Sequence, residues 1–214
     1  MATKHPWLKK YPINKDSKYL IIGTHPPMPY CGRLEYFYGN MSEFWRLLDK
    51  VYQNNNLYKN GCPKKDDILN FINVNSISIT DIVYKTNEVK FSTDNGMGKL
   101  SFEHLNPFLK KWLENSSIEI IYFTSFGGTN SAKSLFKKWY KATFKKSSKI
   151  NNSHFNEIEI FGRKIKLIDL FSPSPTAQRS SPRIKEYQEW KILNSPNDYD
   201  SFRINWYKTH LPKI

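Results

Sequence analysis

Three short stretches of this 214-residue chain carry residue types that could do chemistry. Gly23-Thr24-His25-Pro26-Pro27 puts one imidazole in a loop stiffened by two prolines. A histidine there can position a water through a ring nitrogen or donate a hydrogen bond to a leaving group, and an acid or base role of that kind is worth roughly 10²- to 10⁴-fold in rate. It could equally be a structural part of the loop. Tyr36-Phe37-Tyr38-Gly39-Asn40 follows, with aromatic faces suited to stacking and an amide able to hold water or read a base edge. Asn40 is also a plausible helix N-cap, and Phe37 reads best as a packed core aromatic. Far along the chain, Ser172-Pro173-Ser174-Pro175 sets two hydroxyls before a helix whose free N–H groups could hold a phosphate. The five histidines, His5, His25, His104, His154 and His210, are scattered without ligand spacing. Cys31 and Cys62 are too few for a disulfide framework, a four-thiolate zinc site or an iron–sulfur cluster, so neither metal nor cofactor is expected.

These stretches need elements to position them, and the chain alternates strand and helix patterns. Ser17–Thr24 is an apolar run ending near a glycine, as in a buried parallel strand. Asn40-Met41-Ser42-Glu43 has capping-box spacing, and Phe44, Leu47, Leu48 and Val51 then share one helical face. Ile77–Val83 and Ile118–Thr124 read as further strands, and Pro107–Leu113 and Ala132–Tyr140 as helices. Glu157–Ile160 and Lys164–Leu167 alternate around Phe161-Gly162-Arg163, a hairpin feeding the last central strand, Lys166–Phe171. Ser181-Pro182 supplies an N-cap and first-turn proline for a helix over Arg183–Leu193, and a further helix can end the chain. The polar stretch Lys145–Asn156 reads as an exposed loop. The expectation is a single domain over residues 1–214: a three-layer α/β/α fold with a central, mainly parallel four-stranded sheet plus a β-hairpin. In such sheets ligands bind outside the carboxyl ends of the strands, near a switch in strand order, and the His25 and Ser172 loops both fall there.

Composition limits the function classes. With 39% apolar and 15% aromatic residues the chain can build a substantial core, and no apolar run approaches the roughly 20 residues of a membrane span. A soluble, cytoplasmic protein with no membrane partner is the expectation, and a monomer. Lys plus Arg (33) exceeds Asp plus Glu (19), giving +14, a balance that draws a chain toward polyanions such as nucleic acid. Because 27 of the 33 cations are Lys in a chain also rich in Asn, coding bias explains part of it.

The motifs, in this order, resemble the uracil-DNA glycosylase superfamily, and within it the mismatch-specific uracil/thymine and hypoxanthine-DNA glycosylase branches. Gly23-Thr24-His25-Pro26-Pro27 is similar to that family's first motif. Tyr38-Gly39-Asn40 running into Phe44-Trp45-Arg46 resembles its aromatic-glycine segment and following Asn-x-Phe-Trp. Ser172-Pro173-Ser174-Pro175 resembles its serine-proline motif. Ile79-Thr80-Asp81-Ile82-Val83 with Ser92-Thr93-Asp94, and Phe123–Gly128 with the helix after it, resemble the hypoxanthine branch. The resemblance implies a DNA repair enzyme that flips a deaminated base, uracil or hypoxanthine, out of DNA and hydrolyses its N-glycosidic bond without a metal.

By that resemblance Tyr38 stacks on the flipped base, with Gly23, Thr24, Pro26 and Phe37 shaping the base pocket. His25, where relatives carry Asn, Asp or Glu, and Asn40 handle water and leaving group. Ser172, Pro173 and Ser174 hold DNA phosphates. The segment before Phe44 is one residue shorter than in the family, so either Asn40 or Ser42 stands for its asparagine. Thr176-Ala177-Gln178-Arg179 lacks the family's wedge leucine; Arg179 could fill the gap, hold a phosphate or be a solvated charge. Asp81 and Asp94 read as loop caps near the pocket. Two rivals stand beside this reading: a non-catalytic nucleic-acid-binding protein of the same fold, and an α/β enzyme acting on a free nucleotide.

Overall fold

A computed structural model describes residues 3–30, 32, 34–39, 43–53, 56–145 and 150–213. Its centre is a sheet of five strands: β1 Tyr19–Gly23, β2 Ile77–Asp81, β3 Ile120–Phe123, β4 Phe155–Ile160 and β5 Arg163–Asp169, in the order β2-β1-β3-β5-β4. The first four run parallel and β4 pairs antiparallel with β5. The sheet therefore has five strands rather than four plus a separate hairpin. All six residues of β4 pair along β5, and the turn needs only Phe161 and Gly162, both with positive φ. Two consecutive left-handed residues match the right-handed twist of the strands they join.

Helices cover both faces, as parallel strands buried on both sides require. Leu20 and Ile22 of β1, with Ile121 and Phe123 of β3, pack against α3 (Leu109–Glu114) and α4 (Ala132–Phe144). Ile21 and Tyr122, facing the other way, pack against α1 (Phe44–Val51), α2 (Lys65–Val74) and α6 (Tyr199–His210). A third apolar cluster joins Phe171 to Tyr187 of α5 (Lys185–Leu193) and to Tyr199 and Phe202 of α6.

Three details depart from expectation. Helix α1 begins at Phe44, with Glu43 in the cap position and no side-chain cap bond; Asn40, Met41 and Ser42 lie outside the described residues. Ser181-Pro182 does not start a helix but ends a 3₁₀ segment, Pro175–Arg183, and α5 follows from Lys185. Proline has no N–H for an α-helical ladder, and the chain instead closes an i→i+3 bond from Ile184 N to the Ser181 carbonyl. Helix α2 adds an element to the expected set: Ile68, Phe71 and Ile72 at i, i+3 and i+4 after Asp66 and Asp67 are an amphipathic pattern with acids in its first turn. No described helix is long and apolar enough to cross a membrane.

Candidate functional site

The register aligns the carboxyl ends of the parallel strands. Gly23 lies opposite Asp81, Ile22 opposite Phe123, and Phe123 opposite Asp169. β1 leads to β2 on one flank and β3 leads to β5 on the other, so the switch in strand order falls between β1 and β3. That is where an open α/β sheet leaves a crevice for ligand.

Tyr38 sits at this edge. Its hydroxyl is 2.8 Å from Thr124 Oγ1, just past β3. Thr124 Oγ1 in turn faces the Ile22 carbonyl at 3.4 Å, which makes the phenol the donor of the first bond. One face of the Tyr38 ring stacks on Phe44 at the start of α1, centroids 4.2 Å apart and 28° from parallel. Tyr38 holds a left-handed backbone, φ 55°, a conformation that costs a side-chain-bearing residue about 1 kcal/mol or more and is kept only where surroundings enforce it. Gly23 is required beneath it: a Cβ there would collide with Asp81 Oδ1 and lie 2.6 Å from the Tyr38 hydroxyl. Burial, with Asp81 close by, pushes the phenol well above its usual range, so it stays neutral.

His25 is 7% exposed. Its Nδ1 lies 2.7 Å from the Pro26 carbonyl, and because a carbonyl only accepts, Nδ1 carries the proton. Nε2 is then an acceptor, buried and without a hydrogen-bond partner. Burial first, and His5 second, pull the imidazole down to about 4, so it is neutral at neutral pH. His5 packs edge-on against it, ring centroids 4.9 Å apart. Backbone N–H groups of Trp7 and Leu8 donate to His5 Nδ1 at 3.0 and 3.2 Å, which leaves His5 Nε2 to donate to Asp81 Oδ2 at 2.8 Å. No sequence signal linked His5 to Asp81; they are 76 residues apart. Among the described residues no group of three or more His, Cys, Asp or Glu could hold a metal ion.

The remaining predicted residues divide. Thr24 donates to Asp94 Oδ1 at 2.6 Å, and Pro26 is the acceptor for His25. Phe37 is an aromatic core residue, 1% exposed, with its ring beside His5, Tyr11 and Tyr36 and its carbonyl accepting from Trp45 Nε1 at 3.0 Å. Asn40 lies outside the described residues.

The serine-proline loop follows β5 and meets the start of α1. Glu43 N donates to the Pro173 carbonyl at 3.0 Å, and the nearly buried Arg203 of α6 donates to the Ser172 carbonyl at 3.0 Å and to Glu43 Oε2 at 2.7 Å. Asp200 completes the set by accepting from both Arg203 and Arg46. Glu43 thus ties the Phe44–Tyr38 stack to the Ser172 loop, a role its place in an apparent capping box conceals. Ser174 N donates to Ser172 Oγ at 3.2 Å and Ser174 Oγ lies 2.8 Å from Thr176 Oγ1. Arg179 is exposed in the 3₁₀ segment. A cleft of about 450 Å³ lies one strand along, lined by Phe126, Gly127, Lys133, Lys137, Asn151 and Asp169 among others.

Fold and site together define an α/β protein with a mostly parallel five-stranded sheet, at whose switch point Tyr38 and Thr124 meet. The chain matches no family model and no curated protein.

Proposed function

We propose that this protein is a DNA N-glycosylase with a uracil-DNA glycosylase-like fold, which flips a deaminated base, uracil or hypoxanthine, out of DNA and removes it by hydrolysis. The observation that carries this reading is the joining of three distant stretches at one strand edge: the Gly23–Pro27 loop, Tyr38 and the Ser172–Pro175 loop, bridged through Glu43 and Phe44. In this reading the base stacks on the face of Tyr38 away from Phe44. Water adds to the anomeric carbon as the glycosidic bond breaks and its electron pair leaves with the base. His25, with its proton fixed on the Pro26 carbonyl, offers Nε2 as an acceptor for water and has no proton to give a leaving base; Asn40 supplies the amide. Ser172 and Ser174 hold phosphates beside the flipped nucleotide, with Arg179 exposed nearby, and the +14 charge favours a polyanionic substrate.

The test is base release from oligonucleotides carrying uracil, hypoxanthine, xanthine or a mismatched thymine, single- and double-stranded, by the parent and by Tyr38→Ala, His25→Ala and Asn40→Ala. Release of at least one base, lost in Tyr38→Ala and reduced in the other two, is the expected result. The second reading, a non-catalytic binder of the same fold, is favoured by one observation: His25 Nε2 is closed off from solvent. Salt-sensitive DNA binding without release of any base would select it.

A further inference from the structure

Asp94 stands out among the polar groups at the strand edge because both of its carboxylate oxygens are held by hydroxyls. Thr24 Oγ1, just past β1, donates to Oδ1 at 2.6 Å, and Ser125 Oγ, just past β3, donates to Oδ2 at 3.2 Å. The carboxylate therefore bridges the segments that follow β1 and β3 at the switch point. Its backbone is fixed as well: Asp94 opens a 3₁₀ turn capped by Thr93, and Asn130 Nδ2 donates to the carbonyls of Asp94 and Gly98 at 3.2 and 2.8 Å. Each carboxylate oxygen accepts about two hydrogen bonds, so each retains a free acceptor position after its hydroxyl is counted. No cation neutralises Asp94 among the described residues. The titratable groups that bear on it are Asp81 at the end of β2 and the phenol of Tyr38.

We propose that Asp94 is a catalytic residue of the hydrolysis, its carboxylate taking the proton from the water that adds to the anomeric carbon. The proposal rests on the glycosylase reading. The water oxygen bonds to the anomeric carbon, the water proton passes to Asp94, and the electron pair of the broken glycosidic bond leaves with the base. His25 positions the water, its imidazole held down to about 4 by burial and by His5. Burial pushes the Asp94 carboxyl up, opposed by its two hydroxyl bonds, and a carboxylate so displaced is a stronger base than an exposed one.

The experiment is single-turnover base release against pH for the parent, Asp94→Asn, Asp94→Glu and Thr24→Val, with lesion-DNA affinity measured alongside. Asp94→Asn is expected to slow release by about 10²- to 10⁴-fold at unchanged affinity and to abolish the acid limb of the profile. Asp94→Glu should restore part of the rate with a shifted limb, which a purely structural role would not produce. Thr24→Val should keep the limb and lower the rate, because it removes one orienting bond and leaves the base in place. An Asp94→Asn enzyme within about tenfold of the parent with the same acid limb overturns the role of Asp94 alone. A parent that releases no base from any substrate overturns the glycosylase reading and this role with it.

Discussion

Two neighbouring strand ends treat their polar groups in opposite ways. At the end of β5, Asp169 is buried and its charge is offset directly: Lys133 Nζ sits 2.8 Å and His154 Nδ1 3.3 Å from Oδ2. Lys133 also donates to the Ser153 carbonyl at 2.6 Å, and His154 Nε2 lies 3.1 Å from Glu186. Every cationic nitrogen there has a protein partner, although Asp169 Oδ1 has none. Between β1 and β3 the balance is different. Asp94 is met by hydroxyls instead of cations, His25 is neutral, and its Nε2 accepts from nothing. Buried polar groups normally find partners, and each strand end keeps one acceptor that does not, Asp169 Oδ1 and His25 Nε2; what differs is that one carboxylate is met by cations and the other by hydroxyls. The β5 cluster is a strut that pins the Ser153–His154 segment and α5 to the sheet; the β1–β3 edge holds Asp94 with hydroxyls and no cation.

The strut should fail abruptly when one member is removed. Lys133→Met leaves the Asp169 carboxylate buried beside half-buried His154 alone, and removing one partner of a buried ion pair typically costs 3–5 kcal/mol. Urea denaturation of the parent and Lys133→Met should show a drop of about that size. A loss below about 1 kcal/mol would mean the pair is not buried in solution, and the contrast between the two regions would collapse.

The β1–β3 edge should instead reveal itself through pH. The folded His25 imidazole is lowered to about 4 from its ordinary 6.5, so the folded protein binds fewer protons there than the unfolded chain. Its contribution is complete above pH 6.5 and is lost as pH falls toward 4. At 1.36 kcal/mol per unit the full effect is about 3 kcal/mol as an upper figure. The stability of the parent relative to His25→Gln should therefore decline steadily between pH 6.5 and pH 4. Parallel curves for the two proteins would show that His25 is exposed to water rather than buried, and that the two strand ends do not differ in this way.

Much of this frame was legible in the sequence, and for local reasons. The strand β1, the hairpin and α4 announce themselves through short-range apolar periodicity, and proline and glycine mark the two loops at the strand ends. Helix α1 starts later than the Asn-x-x-Glu spacing suggests because that spacing also describes a glutamate committed elsewhere: Glu43 uses its carboxylate on Arg46 and Arg203, the latter 160 residues away. The His5–Asp81 pair and the bridging of Thr24 and Ser125 by Asp94 are likewise long-range, with separations of 76, 70 and 31 residues. Spacing along a chain carries no record of such contacts; they follow only from the strand order that brings β1, β2 and β3 together. Asp81 and Asp94 could be placed near a pocket as loop caps, but which hydroxyls would hold Asp94 could not be read.

The smallest expected effect has the opposite sign to that of His25 and tests the comparison most directly. His154 is raised above 6.5, first by its hydrogen bond to Asp169, with Glu186 adding to it. The folded protein therefore binds more protons at this site than the unfolded chain. Its stabilising contribution is complete below pH 6.5 and disappears as pH rises through the raised value. The advantage of the parent over His154→Gln should then be greatest in mild acid and shrink toward alkaline pH, while the advantage over His25→Gln shrinks toward acid. His154 is partly exposed, so solvent screening keeps its effect below that of His25. Thermal unfolding of the three proteins across pH 4.5 to 8.5 should give two difference curves of opposite slope. Slopes of the same sign would show that one imidazole sits in the other's electrostatic setting, and that the two strand ends are built alike.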